Sequence, residues 1–293
     1  MTWQFTLTGL LIGALVGLTG MGGGSLMTPI LILLFGFKPT LAVGTDILHG
    51  AIFKSFGAVQ HRKLGTVHAR IMFWMFLGSA PMSLLGVEVA TWIEDKYGSG
   101  VGDAMAKVIG AALILGGLGF LAKTFVKRGV QPSDAPFLLA NRDRVICVAL
   151  GASGGFVVGL TSVGSGTFFG LVMLLVFPLT AAKIVGTDIF HAAALLWVAG
   201  ISSLVHGNVD LHAMFWLLLG SIPGVLFTSR FALRVPDRAL RVGLGTVLLA
   251  SGIRLLEVPH YEILVPLVLL VGAAGAALTQ VRVIQARRAA AEA

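Results

Sequence analysis

Charge is scarce in this chain of 293 residues: Asp, Glu, Lys and Arg make up 12% of it, against 56% hydrophobic residues. That is about half the charged share of an ordinary soluble protein. A soluble molecule of this size could not hide so much apolar surface, so that class is excluded. Cysteine is scarcer still, and the lone Cys147 excludes an intrachain disulfide. A phosphate-binding loop, a zincin motif and a nucleophile paired with a base are all missing. The sequence therefore makes no case for an enzyme or a bound cofactor. The first twenty residues have no basic stretch and run straight into apolar sequence, so a cleaved signal peptide is not expected.

Apolar stretches of about 20 residues fill the space that charge leaves, each long enough to cross a hydrocarbon core. The chain reads as an all-α, polytopic membrane protein with its bulk in the lipid bilayer. Apolar segments are expected at 5–20, 23–36, 41–60, 70–91, 106–126, 143–160, 167–179, 184–204, 211–230, 240–256 and 262–281. The net charge is +8, and 15 of the 21 Lys and Arg fall in four clusters. These are Arg62 to Arg70, Lys123 to Arg144, Arg230 to Arg241, and Arg282 to Arg288. By the positive-inside rule those segments, and with them the C-terminus, belong on the cytoplasmic side. The basic excess orients the protein; it does not recruit nucleic acid.

Within this frame the chain repeats itself at an offset of 142 residues. Gly17-Leu18-Thr19 through Ser25 returns as Gly159-Leu160-Thr161 through Thr167. Val43-Gly44-Thr45-Asp46-Ile47-Leu48-His49 returns as Val185-Gly186-Thr187-Asp188-Ile189-Phe190-His191. Gly65 and Val67 match Gly207 and Val209, and Trp74, Gly78, Ser79 and Pro81 match Trp216, Gly220, Ser221 and Pro223. Duplicated apolar halves with Gly-interrupted segments in step are the pattern of secondary transporters, whose site lies between the repeats. The reading divides the chain into a first repeat (1–126), a cytoplasmic linker (127–142), a second repeat (143–260), and an appended helix with a basic tail (261–293).

Charge also sets the relative orientation of the halves. The loop at 61–70 carries three basic residues and its mate at 203–212 none; the loop at 92–107 is acidic and its mate holds four Arg. Corresponding loops thus belong on opposite sides, which makes the duplication inverted. Each half then needs an odd number of crossings, so segment 5–36 contributes none or two. Its two arms reach about 24 and 21 Å as helices, short of a core about 30 Å thick. A helical hairpin turning at the glycines is expected.

Three groups of residues could carry chemistry. The Gly-rich turns, with Thr19, Gly22, Gly23, Gly24 and Ser25 in one half and Thr161, Ser162, Gly164, Ser165, Gly166 and Thr167 in the other, place amides and hydroxyls at helix starts. Such ends attract anions, although small residues there also serve close packing. The repeated Gly-Thr-Asp-x-x-His puts Asp46 and His49, and Asp188 and His191, on one helix face. Ionisable groups at membrane depth suggest coupling to protons. The alternatives are a divalent-metal site, or a structural pair with Thr45 or Thr187 as partner. Lys54, eight residues after Asp46, either meets an anion or pairs with Asp46 or Asp188, while Lys38 and Lys183 suit snorkelling ends. His61, His68 and His206 read as structural or solvated, Glu88 as interfacial, and the Gly-Ser-x-Pro helices as kinked, which suits gating or simple shape equally.

With these motifs in hand, the chain resembles the sulfite exporter TauE/SafE family of membrane permeases. The likeness rests on the Thr-Gly-x-Gly-Gly-Gly hairpin with Pro29 closing the next helix and on Ala42 to Thr45, and it covers about residues 5–280. It implies a bacterial inner-membrane carrier for sulfite, sulfonates or other small anions, driven by ion gradients, without a cofactor, and open to homo-oligomer formation. It places substrate contacts at Thr19, Gly22 to Ser25, and Thr161 to Thr167. The sequence departs from the family pattern where Asp46 and Asp188 follow the Thr. A divalent-metal or cation carrier, and a non-transporting membrane assembly subunit, remain the rival readings.

Overall fold

The computed structural model describes residues 2–19, 26–97, 102–125, 137–164, 166, 168–228 and 237–292. It is all-helical, with no strand among the described residues. Eleven helices follow in order: α1 (Thr2–Thr19), α2 (Met27–Phe35), α3 (Pro39–Lys63), α4 (Ala69–Tyr97), α5 (Gly102–Phe125), α6 (Asn141–Thr161), α7 (Phe168–Val176), α8 (Ala181–Val205), α9 (Leu211–Thr228), α10 (Asp237–Leu255) and α11 (Tyr261–Glu292). Each expected apolar segment corresponds to one of them. Six, namely α4, α5, α6, α8, α9 and α11, are long and apolar enough to cross a membrane. Their outward faces carry large apolar side chains such as Leu77, Leu115, Phe215 and Leu270, surface that only lipid accommodates in such amount.

Two expectations need correction. The arms of the hairpins are unequal: α6 has 21 residues and qualifies as a span, while α2 and α7 have 9 each, about 14 Å of helix. Of the four arms, only α6 qualifies as a span among the described residues; α1 does not, as expected for the first half. Pro29 does not close a helix but stands in the first turn of α2, where its missing N–H is one that would have no partner anyway.

The repeat is written into the helix boundaries, since Pro39–Lys63 and Ala181–Val205 are offset by 142 at both ends. Gly65 and Gly207 follow these helices with φ of 68° and 74°, the left-handed region that favours glycine. The next helices are then capped by side chains. The His68 Nδ1 accepts the Ile71 N–H at 3.3 Å, and Asp210 accepts the Ala213 N–H at 2.9 Å, so both α4 and α9 begin on an N-cap bond. The threonines of the repeated motif anchor those caps. Thr187 Oγ1 accepts the His68 N–H at 2.8 Å, and Thr45 Oγ1 accepts the Asp210 N–H at 2.9 Å.

The halves interlock rather than stand side by side. The first-half hairpin arm α1 packs on α9, the second-half arm α6 packs on α4, and α3 lies against α8 between them. Glycines set these contacts, because a Cβ at Gly9 or Gly13 would overlap the backbone of Leu217 or Ser221. At the mate positions, Gly151 and Gly155 meet the backbones of Met75 and Ser79. Every one of these contacts recurs with the halves exchanged, as in an isologous interface. Small residues here let backbones approach closely, the usual basis of helix association in lipid.

Two apolar clusters result: one from α1, α2 and α9 with Ala42 of α3, the other from α4 to α8 with contributions from α3 and α10. The last stretch of the expected linker is held in place. Phe137 packs on His68 and Phe177, and its carbonyl accepts from His68 Nε2 at 3.2 Å. Helix α11 packs on α10, with 6% of its apolar window buried.

Candidate functional site

The repeated Gly-Thr-Asp-x-x-His lies in the second turn and beyond of α3 and α8, the two helices at the centre of the molecule. Asp46, His49, Asp188 and His191 are all buried, at 1%, 4%, 6% and 0% exposure, and Lys54 at 4% joins them. The Lys54 ammonium interacts electrostatically with both Asp188 and Asp46. A charge so placed within a membrane protein needs such partners.

The aspartate and histidine of each motif look in different directions. His49 Nε2 shares a hydrogen bond of 2.9 Å with Ser221 Oγ on α9, and His191 Nε2 shares one of 2.9 Å with Ser79 Oγ on α4. The serines belong to the Gly-Ser-x-Pro helices, and each sits against a hairpin glycine, Gly13 or Gly155. Sequence reasoning gave these helices a shape role and missed the pairing. The signal was present, since Ser79 and Ser221 repeat at the same offset as the histidines.

Asp46 breaks the symmetry. Its Oδ2 accepts the Thr28 N–H at 3.2 Å, the Thr28 hydroxyl at 2.6 Å and the Ser162 hydroxyl at 2.9 Å. Thr28 is the second residue of α2, so its amide is one of the four at a helix start that lack an intrahelical partner. Ser162 follows α6 with φ of 61°, the first residue of the Gly-rich turn. Both hairpins thus converge on one carboxylate oxygen. Thr28 has Gly170 as its mate, so the repeat gave no hint of it.

A cavity of about 10 Å³, the space of one water, adjoins this centre. Its lining includes Ile12, Met27, Asp46, His49, Lys54 and Ser221. The mates of Ile12, Met27, Lys54 and Ser221 are Gly154, Phe169, Leu196 and Ser79. Phe169 fills the equivalent place in the second half. Its ring lies 4.6 Å from that of His191, edge-on at 72°, and occupies the space that a side chain at Gly154 would need. Apart from Ser221, the residues lining the cavity come from the first half.

Of the remaining candidates, Gly22, Gly23, Gly24 and Ser25, with Ser165 and Thr167, lie outside the described residues, and Thr19 ends α1. Thr161 is buried and its hydroxyl donates to the Val157 carbonyl at 2.7 Å. Gly164 and Gly166 adopt φ of 105° and 125°. A Cβ on Gly164 would meet nothing nearer than 3.7 Å, so conformation, not space, makes that position a glycine. Thr45 and Thr187 serve the caps of α9 and α4. No three His, Cys, Asp or Glu side chains converge as metal ligands among the described residues. His61 bonds Thr66 at the end of α3, and His206 lies 3.0 Å from Glu88 at the protein edge.

Helices long and apolar enough to span a bilayer, interlocked duplicated halves and a buried group of ionisable side chains between them define a multi-pass membrane protein. The sulfite exporter TauE/SafE family matches residues 5–255, and the chain belongs to that family of membrane transporters. It is 36% identical over 256 residues to the probable membrane transporter protein YjnA of Bacillus subtilis, covering 87% of this chain and 100% of that one. The probable membrane transporter protein YdhB of the same organism is 24% identical over 84% of this chain and 96% of its own. The sulfite exporter TauE/SafE family protein 1 of Arabidopsis thaliana is 36% identical over 89 residues, 30% of this chain and 20% of that protein. No solved structure matches.

Proposed function

We propose that this permease carries a small anion, sulfur-containing or organic, across the cell inner membrane in exchange with or alongside an ion. The observation that carries the reading is the set of groups around Asp46 and the cavity. Lys54 and Ser221 line the cavity together with Asp46, and the amide at the start of α2 and the hydroxyls of Thr28 and Ser162 meet on the Asp46 carboxylate beside it. Donors and a cation suit an acceptor-only ligand. A divalent metal would need several carboxylate or imidazole ligands turned inward, and here His49 is turned to Ser221. The names of the family and of the Arabidopsis relative point to sulfite as a first substrate to try.

Asp46 and Asp188, with Lys54 between them, form the coupling centre, and the halves are related by a two-fold axis in the membrane plane. Two independent observations support that axis: the opposite charge of corresponding loops, and contacts that recur with the halves exchanged. The C-terminus is then cytoplasmic. Purified protein in proteoliposomes should take up sulfite or a sulfonate down an imposed gradient, and Lys54→Met should abolish uptake. Flux of divalent cations, with none of sulfite, sulfonates or carboxylates, would replace this reading by a cation carrier.

A further inference from the structure

Asp46 occupies a place built for an anion that is not part of the chain. Three donors converge on its Oδ2, one of them the free amide at the positive end of α2. They come from the hairpins of both halves, whereas the carboxylate reaches in from α3. The other oxygen, Oδ1, is buried and has no hydrogen-bond partner, and Asp46 borders the cavity together with Lys54. A buried carboxylate oxygen left without a donor is costly, and a proton on that oxygen removes the cost by removing the charge.

We propose that Asp46 is a resident stand-in for the transported anion: a proton added to it releases the Thr28 and Ser162 donors, and a substrate monoanion takes them. This rests on the anion reading above and names what the anion displaces. The proton comes from water on the side of entry and adds to Oδ1; no bond forms between proton and substrate. When the anion leaves on the other side, the proton returns to water and Oδ2 takes the donors again. One proton accompanies one monoanion, so each cycle moves no net charge.

The charges around the site fit a ligand with a single negative charge. Lys54 faces Asp188 and Asp46, so the cluster has the same charge with an ionised Asp46 as with a protonated Asp46 and a bound monoanion. A dianion would add an uncompensated charge to a buried site. The titratable groups nearby are Lys54 and His49 on α3 and Asp188 and His191 on α8. The only charged group acting on Asp46 among the described residues is Lys54; α2, α9 and the turn after α6 bring hydroxyls and amides.

The test is binding of methanesulfonate, which stays singly ionised, and of sulfate, to the purified full-length protein in lipid nanodiscs across the mildly acidic to neutral range. Wild-type affinity for methanesulfonate should fall with rising pH, by about tenfold per unit above its midpoint. Asp46→Asn, which keeps the shape without the charge, should bind at the wild type's low-pH affinity at every pH. Sulfate should bind more weakly than methanesulfonate to both. Ser162→Ala should weaken methanesulfonate binding at low pH by about tenfold, because the anion itself loses a donor. The same pH slope in wild type and Asp46→Asn, or full affinity in Ser162→Ala, overturns the stand-in while leaving the anion reading in place. No binding of methanesulfonate, sulfate or sulfite to the wild type at any pH overturns the anion reading, and the stand-in with it. Should Asp46→Asn not fold, the wild-type slope and the Ser162→Ala loss decide together, and absence of either sinks the proposal.

Discussion

Lys54 is a cation held at 4% exposure against Asp188 and Asp46. Removing one member of a buried charge cluster leaves the others uncompensated, at a cost of about 3–5 kcal/mol. Lys54→Met should therefore lower the thermal midpoint as well as abolish flux. Adding Asp188→Asn should return most of the stability, since the surplus carboxylate is gone, while transport stays lost. Thermal unfolding and sulfite uptake of the single and double variants separate the two effects. Wild-type flux in the double variant would show that Lys54 serves structure alone. The charged residues themselves were legible in the sequence, because ionisable groups stand out in apolar surroundings. So was the pairing of Lys54 with Asp46 or Asp188, but Thr28 was not: it is an ordinary hydroxyl in an apolar helix, and its mate is a glycine, so duplication was silent where the two halves differ.

Among the helices, close approach and open space make opposite predictions for glycine. Gly13→Val forces α1 off the backbone of Ser221, and Gly155→Val forces α6 off Ser79. Each should cost about 1–3 kcal/mol as overpacking, read as a lower thermal midpoint. Gly119→Ala and Gly243→Ala meet nothing within 4 Å, and each should gain about 0.5–1 kcal/mol from helix propensity. If all four behave alike, the glycines do not set the interlocking contacts. A second contrast concerns Met27 and its mate Phe169. Met27→Phe with Ile12→Gly copies the filled half into the open one and should abolish anion binding; unchanged binding would place the anion elsewhere. Helix existence was legible from apolar run length, although the expected segments 41–60 and 184–204 stop short of α3 and α8 at both ends. That α2 was too short to cross was legible too, but not that α2 and α7 have only 9 residues each, since glycine runs mark where a helix breaks and not where the next one starts.

For the whole molecule, the decisive quantity is the side of the membrane on which corresponding loops emerge. Cys147 is fully buried and can be replaced by Ala to give a background free of thiols. Leu64→Cys and His206→Cys, at mated positions after α3 and α8, should then react with an impermeant maleimide from opposite sides, Leu64→Cys from within. Labelling of both from one side would exclude the inverted arrangement. The charge asymmetry of the loops is what predicts this topology from the sequence. Interlocking did not show there, because nothing in an apolar glycine-bearing face states which distant helix it will meet.

That interlocking has a consequence for biogenesis. Gly9 rests on Leu217, 208 residues further on (217 − 9), whereas the mated contact joins Met75 to Gly151 across 76 (151 − 75). At a synthesis rate of about 5–20 residues per second, α1 waits on the order of 10–40 s in the bilayer for α9 to emerge. Helix α6 finds α4 already inserted. The mated contacts are thus assembled in a fixed order, and the hairpin arm that leads to Thr28 is the later of the two to dock. Until then its glycine face is open to any other small-residue helix in the same membrane, so ribosome pausing late in the chain is the point at which misassembly is most easily provoked.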